Sequence, residues 1–310
     1  MADESPNPPY KPSANVARMS KATSGDSYKV PACRCAHAGY RIETRRSPLQ
    51  WGTLRLSARH LLHRLHLPGQ TATDLLQMLT LYSYPALFGV ADNNGYGLKV
   101  FAFLRLADVP FRHEHIFDAS KAPRGQLPYI VDGNDTVGDS EAILGFVTER
   151  YRLTIDAALS PVQRTANILI NRLLDDLYWV MSYSRWQDER FWPAFRAALL
   201  REHPSLTEEG LAKAKAFNHQ RYYYQGIGRF DPDAAMARGV ADLDALAALL
   251  PSPGGHAHGQ TPTSIDAAIY GFIANIYFYD IDTPLKQFVV ARENIVWHCR
   301  AMHEAISSAD

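Results

Sequence analysis

Residues 124–151 of this chain read R-G-Q-L-P-Y-I-V-D-G-N-D-T-V-G-D-S-E-A-I-L-G-F-V-T-E-R-Y. The Leu127-Pro128 step precedes two short runs with the character of strands, which are separated by a turn. Because proline cannot donate to a β ladder, Pro128 is expected at the first residue of a strand or on an edge. We predict that the peptide before Pro128 is cis, which turns the main-chain groups of Leu127 outward. They could then pair with an extended peptide ligand.

Asp139 and Ser140 stand where the second run ends and an apolar helix begins. The first turn of a helix leaves N–H groups unpaired and carries the positive end of the helix dipole, which suits a carboxylate ligand. Two interpretations are open, because Asp and Ser are also common helix caps. The spacing of this pair from Leu127-Pro128 favours a ligand site.

Length and composition indicate a soluble globular chain of about two domains, since its 310 residues are 46% hydrophobic and 21% charged. The net charge is zero but unevenly placed: residues 1–77 hold 11 Lys and Arg against 5 Asp and Glu, and the remainder holds 21 against 27. The acidic balance of the larger part argues against a nucleic-acid partner. The most apolar helical run, 265–278, is too short for a membrane span and contains Asp266.

Residues 1–77 have a different composition from the rest. The first thirty are rich in Pro, Ser, Asn and Lys, which predicts disorder, and 41–67 is rich in Arg and Leu. An organelle-targeting presequence is one interpretation. The acidic, Pro-bearing start M-A-D-E-S-P favours the other, a disordered extension before a domain that begins near Met78. Cys33, Cys35 and Cys299 form neither a disulfide framework nor a metal cluster, so we expect a reducing, cytoplasmic location.

From residue 79 the pattern is strand, helix, strand, hairpin, helix. The run 79–84 alternates as a half-buried strand does, and a helix capped by Asn93 or Asn94 extends to Leu106. A second strand covers 111–117, where His113 and His115 share one face. Without a third ligand candidate nearby, we expect no metal there. This order makes the first two strands parallel and the last two antiparallel.

After residue 152 the pattern is helical, with a long helix over 161–189 and further helices over 191–201, 207–225 and 231–250. On the long helix Asn167, Asn171, Asp175 and Trp179 recur every four residues and therefore share a face. That face is either a solvated stripe or the wall of a cleft. In the Gly/Pro loop over 251–260, His256 and His258 are expected to be exposed.

The stretch Thr263-Ser264-Ile265-Asp266, followed by an apolar run, has the form of a capping box. Together with 124–151 it resembles the glutathione transferase superfamily, which has a cis-proline before its third strand, an acidic-Ser pair before its third helix and a capping box in its C-terminal core helix. The stretches D-D-L-Y-W-V-M-S-Y-S-R-W (175–186) and N-I-V-W-H-C-R-A-M (294–302) are similar to the branch that holds the failed-axon-connections proteins and the metaxins.

The resemblance implies an α/β thioredoxin-like domain over 78–152 and an all-α domain over 153–310, after the extension over 1–77. It implies transfer of glutathione, as co-substrate, to a small hydrophobic electrophile, without a metal, in a possible homodimer. The alternative is a non-catalytic, metaxin-like interaction or scaffold protein that keeps the fold.

The resemblance also implies a set of site residues. Those that would bind glutathione or border the cleft are Gln126, Leu127, Pro128, Asp139, Ser140, Asn171, Asp175 and Trp179. Where some branches place a Ser or Cys at the first helix, this chain has Asn94-Gly95-Tyr96-Gly97, which argues against chemistry through an enzyme cysteine. The remaining candidate donors to the glutathione thiol are Asn94, Tyr96, Tyr84 and Ser83.

Overall fold

The computed structural model describes residues 78–307, and the element order in that range is the predicted one. The strands are β1 (Leu79–Ser83), β2 (Phe111–His115), β3 (Tyr129–Asp132) and β4 (Asp135–Gly138). Helix α1 (Gly95–Leu106) joins β1 to β2, and α2 (Ser140–Arg150) follows β4. The predicted extension, with Cys33 and Cys35, lies outside the described residues.

The sheet has the order β2-β1-β3-β4, with β1 parallel to β2 and antiparallel to β3, and with β3 antiparallel to β4. This is the predicted thioredoxin-like arrangement. Leu81 of β1, Leu98 of α1, Ile130 of β3 and Ile143 of α2 are fully buried between the sheet and the two helices. Burial of these side chains stabilises the small domain by roughly 1.5 to 3 kcal/mol each.

The second domain is helical, as predicted. Its helices are α3 (Pro161–Trp186), α4 (Trp192–Glu202), α5 (Glu208–Gln225), α6 (Pro232–Leu249), α7 (Ser264–Tyr277), α8 (Pro284–Val290) and α9 (Glu293–Ser307), with a 3-10 turn at Ile227–Arg229. Helix α3 begins with Pro161 after a capping box made by Ser160 and Gln163. None of the helices within 78–307 is both long and apolar enough to cross a membrane.

Helix α7 is the core helix that the capping box predicts, and α1 of the first domain packs on it. Gly271 makes this close approach possible: a Cβ there would lie 2.6 Å from the carbonyl oxygen of Gly95 and 2.7 Å from the amide nitrogen of Lys99. Both are backbone atoms, so neither could move aside without shifting α1. The contact between the domains therefore requires glycine at position 271.

The two histidines of the loop before α7 are less exposed than the sequence predicts. His256, which was expected to be exposed, is only 9% exposed and lies beside Trp297 and His298 of α9. His258 is half-buried, with its Nε2 2.5 Å from Oδ1 of Asn167 on α3. The loop folds back onto the helices, which no local pattern in 251–260 indicates.

Candidate glutathione site at one end of the sheet

The register of the strands brings the predicted binding residues to one end of the sheet. Tyr82 of β1 pairs with Tyr129 of β3, and Tyr129 pairs with Gly138 of β4. The last residues of β1, the first of β3 and the last of β4 therefore lie side by side. Tyr84 follows β1 and Asp139 follows β4 by one residue, and the Leu127-Pro128 step directly precedes β3. All of them therefore lie at the same end of the sheet.

The Leu127-Pro128 peptide is cis, as predicted. The Leu127 side chain is buried, while Gln126 beside it is exposed. Among the described residues, no backbone hydrogen bond outside the regular elements uses the N–H or C=O of Leu127. These main-chain groups are accordingly available to a peptide ligand, and their use by glutathione stays a prediction.

Asp139 caps α2, so the capping interpretation describes a real contact. Its Oδ1 accepts hydrogen bonds from the N–H groups of Glu141 and Ala142 at 3.1 and 3.2 Å, and its Oδ2 accepts one from the Arg124 guanidinium. Ser140 is buried, and its hydroxyl has no hydrogen bond to any side chain or carbonyl in the described range. Capping and ligand binding are compatible here. Oδ1 of Asp139 caps the helix, while Oδ2 pairs with the guanidinium of Arg124, whose place another cation can take.

Two of the four candidate thiol donors are engaged elsewhere. The Ser83 hydroxyl is buried and lies 2.7 Å from Nε2 of His113. Burial, with smaller effects from His115 and Arg105, lowers the pKa of His113 to about 3, so that imidazole is neutral at physiological pH. The Tyr96 hydroxyl donates to Oδ1 of Asp175 at 3.0 Å, and burial raises its pKa. Neither hydroxyl faces the end of the sheet with an open donor.

The other two donors reach the cleft. Asn94 caps α1 with Oδ1, which accepts from the Tyr96 N–H at 3.0 Å, and this leaves the amide nitrogen as a donor. Tyr84 packs against the cluster around Leu127, and its hydroxyl has no hydrogen-bond partner within the described part of the chain. Burial raises the pKa of Tyr84 to about 12, with Tyr178 and Asp92 adding to the effect. The phenol therefore remains protonated and able to donate.

The polar row on α3 makes contacts across the domain junction. Asn171 accepts a hydrogen bond at 3.0 Å from Lys99 of α1, which also forms an ion pair with Glu141 of α2. Asp175 holds Tyr96, as described above, and Trp179 lies under the guanidinium of Arg221 at 5.1 Å. Two members of the row, Asn171 and Asp175, therefore join α3 to the first domain, so the row is more than a solvated stripe. Direct contact of these residues with a ligand stays a prediction.

A cavity of about 350 Å³ opens beside the start of α1, between the first domain and helices α3 to α5. Tyr84 and Asn94 line it on the side of the first domain, and its other walls are mainly apolar. The apolar lining residues are Phe117, Tyr178, Met181, Trp186, Phe195, Leu199, Leu206, Leu211, Ala214 and Phe217. Its volume lies at the lower end of the range for sites that hold small organic molecules.

Comparison with known proteins decides the family. A model described as the glutathione S-transferase N-terminal domain matches residues 96–191, and one described as the glutathione S-transferase C-terminal domain matches 239–302. The isoprene-epoxide–glutathione S-transferase of Rhodococcus sp. (strain AD45) is 30% identical over 208 residues, covering 64% of this chain and 87% of that protein. The chain belongs to the glutathione transferase family.

A second relative of this glutathione transferase family member is the Failed axon connections protein of Drosophila melanogaster, which is 22% identical over 249 residues. The match covers 73% of this chain and 57% of that protein, so the chain spans little more than half of its length. The match agrees with the predicted similarity to the failed-axon-connections proteins. An apo structure of glutathione S-transferase III shares 15% identity with this chain, covering 75% of this chain and 95% of its own, at a TM-score of 0.47.

Asp92 is a titratable group of this family member that sequence analysis did not single out. Its Oδ1 accepts from the Asn94 N–H at 2.7 Å, and its fully buried Oδ2 has no hydrogen bond within the described range, although the Ser83 hydroxyl is nearby. A Cβ on Gly97 would fall 1.7 Å from that oxygen. The carboxyl group therefore fills the space that a side chain at position 97 would need, which accounts for glycine there.

Burial raises the pKa of Asp92 to about 8, against weaker opposing effects of hydrogen bonds and Arg185. Because the unfolded chain titrates near pH 4, the folded state binds the extra proton between about pH 4 and pH 8, and stability falls as the pH rises through that window. We expect Asp92→Asn to be more stable than the wild type at pH 8 and to lose this advantage towards pH 4. Urea unfolding across that range measures it. Asp135→Asn, at an exposed position, is the control, and a difference that does not vary with pH would contradict the assignment.

His256, Asp266 and His298 are the described residues grouped closely enough to hold a metal ion, with one ligand atom each and all three atoms within 4.8 Å. Sequence analysis missed the group because its members lie up to 42 positions apart. In the structure the Asp266 carboxylate already accepts hydrogen bonds from Ala257, Thr263 and His298. These contacts fix the start of α7, which is the evident role of the group.

Proposed function

We propose that this protein joins the thiol of glutathione to a small hydrophobic electrophile. The observation that carries the proposal is the position of the cavity: it adjoins the start of α1 and shares Tyr84 with the end of the sheet where Leu127 and Asp139 lie. A tripeptide bound along that end would place its thiol at the mouth of an apolar chamber. Bringing a nucleophile and an electrophile together in this way is a large part of catalysis.

Tyr84 is the residue we propose to activate the thiol. A thiol with a pKa near 8.5 is mostly protonated at neutral pH, and a reduction by two units requires about 2.7 kcal/mol of thiolate stabilisation. One hydrogen bond to a charged group supplies roughly 1.5 to 3 kcal/mol, and the positive end of a helix adds about 0.3 to 1. The Tyr84 hydroxyl and the first turn of α1 together match that requirement, with the Asn94 amide as a second donor.

An epoxide is the electrophile class that the relatives favour, because the Rhodococcus relative is named for glutathione transfer to isoprene epoxide. In such a reaction the sulfur forms a bond to one ring carbon as the bond from that carbon to oxygen breaks. The oxygen then takes up the proton that the thiol has lost. The apolar walls suit the hydrocarbon part of such a substrate, and the reaction needs no other reactant.

Tyr84→Phe tests this role. We expect kcat/KM for glutathione and a small epoxide such as styrene oxide to fall about 10- to 100-fold, and the pKa of the bound thiol to rise by about one to two units. Thiolate absorbance at 240 nm across a pH series measures the second quantity. The control is Tyr82→Phe on the preceding strand β1, where the Tyr82 ring stacks on Tyr129 at 4.6 Å. Equal activity of wild type and Tyr84→Phe, or an equal loss in both variants, would exclude Tyr84 as the donor.

The second candidate is a non-catalytic interaction protein of the metaxin-like kind. It is favoured by the match to Failed axon connections and by the capping role of Asn94, at the place where some branches carry a Ser or Cys. Calorimetric titration of the full chain with glutathione separates the two functions. A titration without detectable heat of binding would exclude the transferase function. A homodimer and a cytoplasmic location stay predictions under either function.

A further inference from the structure

Two guanidinium groups line the cavity, and in the described part of the chain no carboxylate does. Arg185 belongs to α3 and Arg221 to α5, so they reach the cavity from two different helices. Many of the arginines in the described range form an ion pair within 4.0 Å, but neither of these two does. The chamber is therefore apolar and positively charged.

Arg185 is the more unusual of the two because it is only 8% exposed. Its Nη1 donates to the carbonyl oxygen of Asn93 and its Nη2 to that of Asn275, both at 2.6 Å, and its guanidinium faces the ring of Tyr279 at 4.7 Å. These partners are all neutral. The carboxyl group of Asp92 influences it at longer range, but burial keeps that group protonated below about pH 8. A buried cation without a countercharge is costly, so a bound anion would stabilise it.

Arg221 carries the second positive charge. Its Nη1 donates to Oδ1 of Asn218 at 3.1 Å, and its guanidinium lies over the rings of Trp179 and Phe217 at 5.1 and 5.7 Å. Stacking on two aromatic rings holds the planar group in place while its other N–H donors stay available. A guanidinium presented in this way suits a carboxylate or another oxyanion, which it can bind through two hydrogen bonds.

We propose that the cavity binds an amphipathic anion, and that the electrophile of this enzyme accordingly has an apolar body and an acid group held by Arg221 and Arg185. The statement about the electrophile rests on the proposed transferase function, whereas the statement about the cavity does not. The γ-glutamyl end of glutathione has its predicted site at Asp139 and Ser140, which leaves these arginines to the second substrate.

A pair of fluorescent probes tests the cavity without requiring turnover. 8-Anilinonaphthalene-1-sulfonate and N-phenyl-1-naphthylamine have the same aromatic body, but only the first is an anion. We expect the full-length wild type to bind the sulfonate probe at least tenfold more tightly. Arg221→Gln should weaken binding of the sulfonate about tenfold and change binding of the neutral probe less than twofold. Arg221→Lys, which keeps the charge, should restore part of the loss.

Arg201→Gln is the matched control, because Arg201 is exposed on α4, pairs with Glu202 and does not line the cavity. Equal affinity of the wild type for both probes, or an equal effect of Arg221→Gln on both, would overturn the proposal. So would a comparable loss of glutathione affinity in Arg221→Gln, since the arginines would then serve the tripeptide. If the probes behave as expected but no epoxide is conjugated, the anion site stands and the transferase function fails.

Discussion

We expect replacement of Asp266 by alanine to lower the free energy of unfolding by about 3 to 5 kcal/mol, the range found when one partner of a buried ion pair is removed. The Asp266 carboxylate is fully buried and accepts from the Thr263 N–H at 2.8 Å, the Thr263 hydroxyl at 2.9 Å, and the Ala257 N–H at 2.8 Å. His298 Nε2 lies 2.9 Å from it. Alanine would leave all of these groups buried without an acceptor, at the start of the helix on which both domains pack.

Denaturant unfolding at several pH values measures this effect. Although burial alone would raise it, hydrogen bonds from His298 and from main-chain N–H groups hold the pKa of Asp266 below its usual range. The stabilisation from the Asp266 carboxylate is therefore complete above about pH 4, the pKa of an aspartate in the unfolded chain. It is lost as the pH falls through the lower pKa that Asp266 has in the folded state. The gap between variant and wild type should narrow in acid. Asp244→Ala, at an exposed position on α6 paired with Arg292, is the control. A loss below 1 kcal/mol for Asp266→Ala would show that the capping box is dispensable.

We expect replacement of Asp139 by asparagine to weaken glutathione binding 30- to 150-fold, which corresponds to about 2 to 3 kcal/mol. The predicted partner of its carboxylate is the ammonium group of the γ-glutamyl end. The hydroxyl and the N–H of Ser140 would bind the adjacent carboxylate, since the next two N–H groups of α2 already donate to Asp139. The Arg124 guanidinium that Asp139 holds in the structure is 58% exposed, and such pairs contribute at most about 1 kcal/mol. The ligand's ammonium can therefore displace it.

The design separates binding from capping. Asparagine caps a helix about as well as aspartate, so Asp139→Asn should leave the unfolding midpoint nearly unchanged while it lowers affinity. Ser140→Ala should cost about 1 kcal/mol in binding, because the N–H of residue 140 remains. Asp135→Asn, on the exposed hairpin of β4, is the control for a general change in charge. Unchanged calorimetric affinity for glutathione in both Asp139→Asn and Ser140→Ala would assign the pair to capping alone.

Much of the fold was predictable because its signals are local. Pro128 at the first residues of a strand, Asp139 before an apolar helix and Thr263 three residues before Asp266 each act within four positions of the chain. Backbone geometry and capping require these residue types wherever such elements occur. The element order and the cis peptide followed from them and are confirmed. The register of the strands then brings Leu127 and Asp139 to one end of the sheet.

The assignment of roles depended on contacts that no local pattern encodes. Tyr96 and Ser83 are equal to Tyr84 as hydroxyl donors in the sequence, yet the partner of Tyr96 lies 79 positions away and that of Ser83 lies 30 away. Likewise, Arg185 reaches carbonyl groups 92 and 90 positions distant. Sequence determines which groups the chain offers and where each element begins, because those effects act within a turn or two. Only the packing of the helices on the sheet decides which hydroxyl groups already have a hydrogen-bond partner, which charged groups lack an ion-pair partner and which side chains line the same cavity.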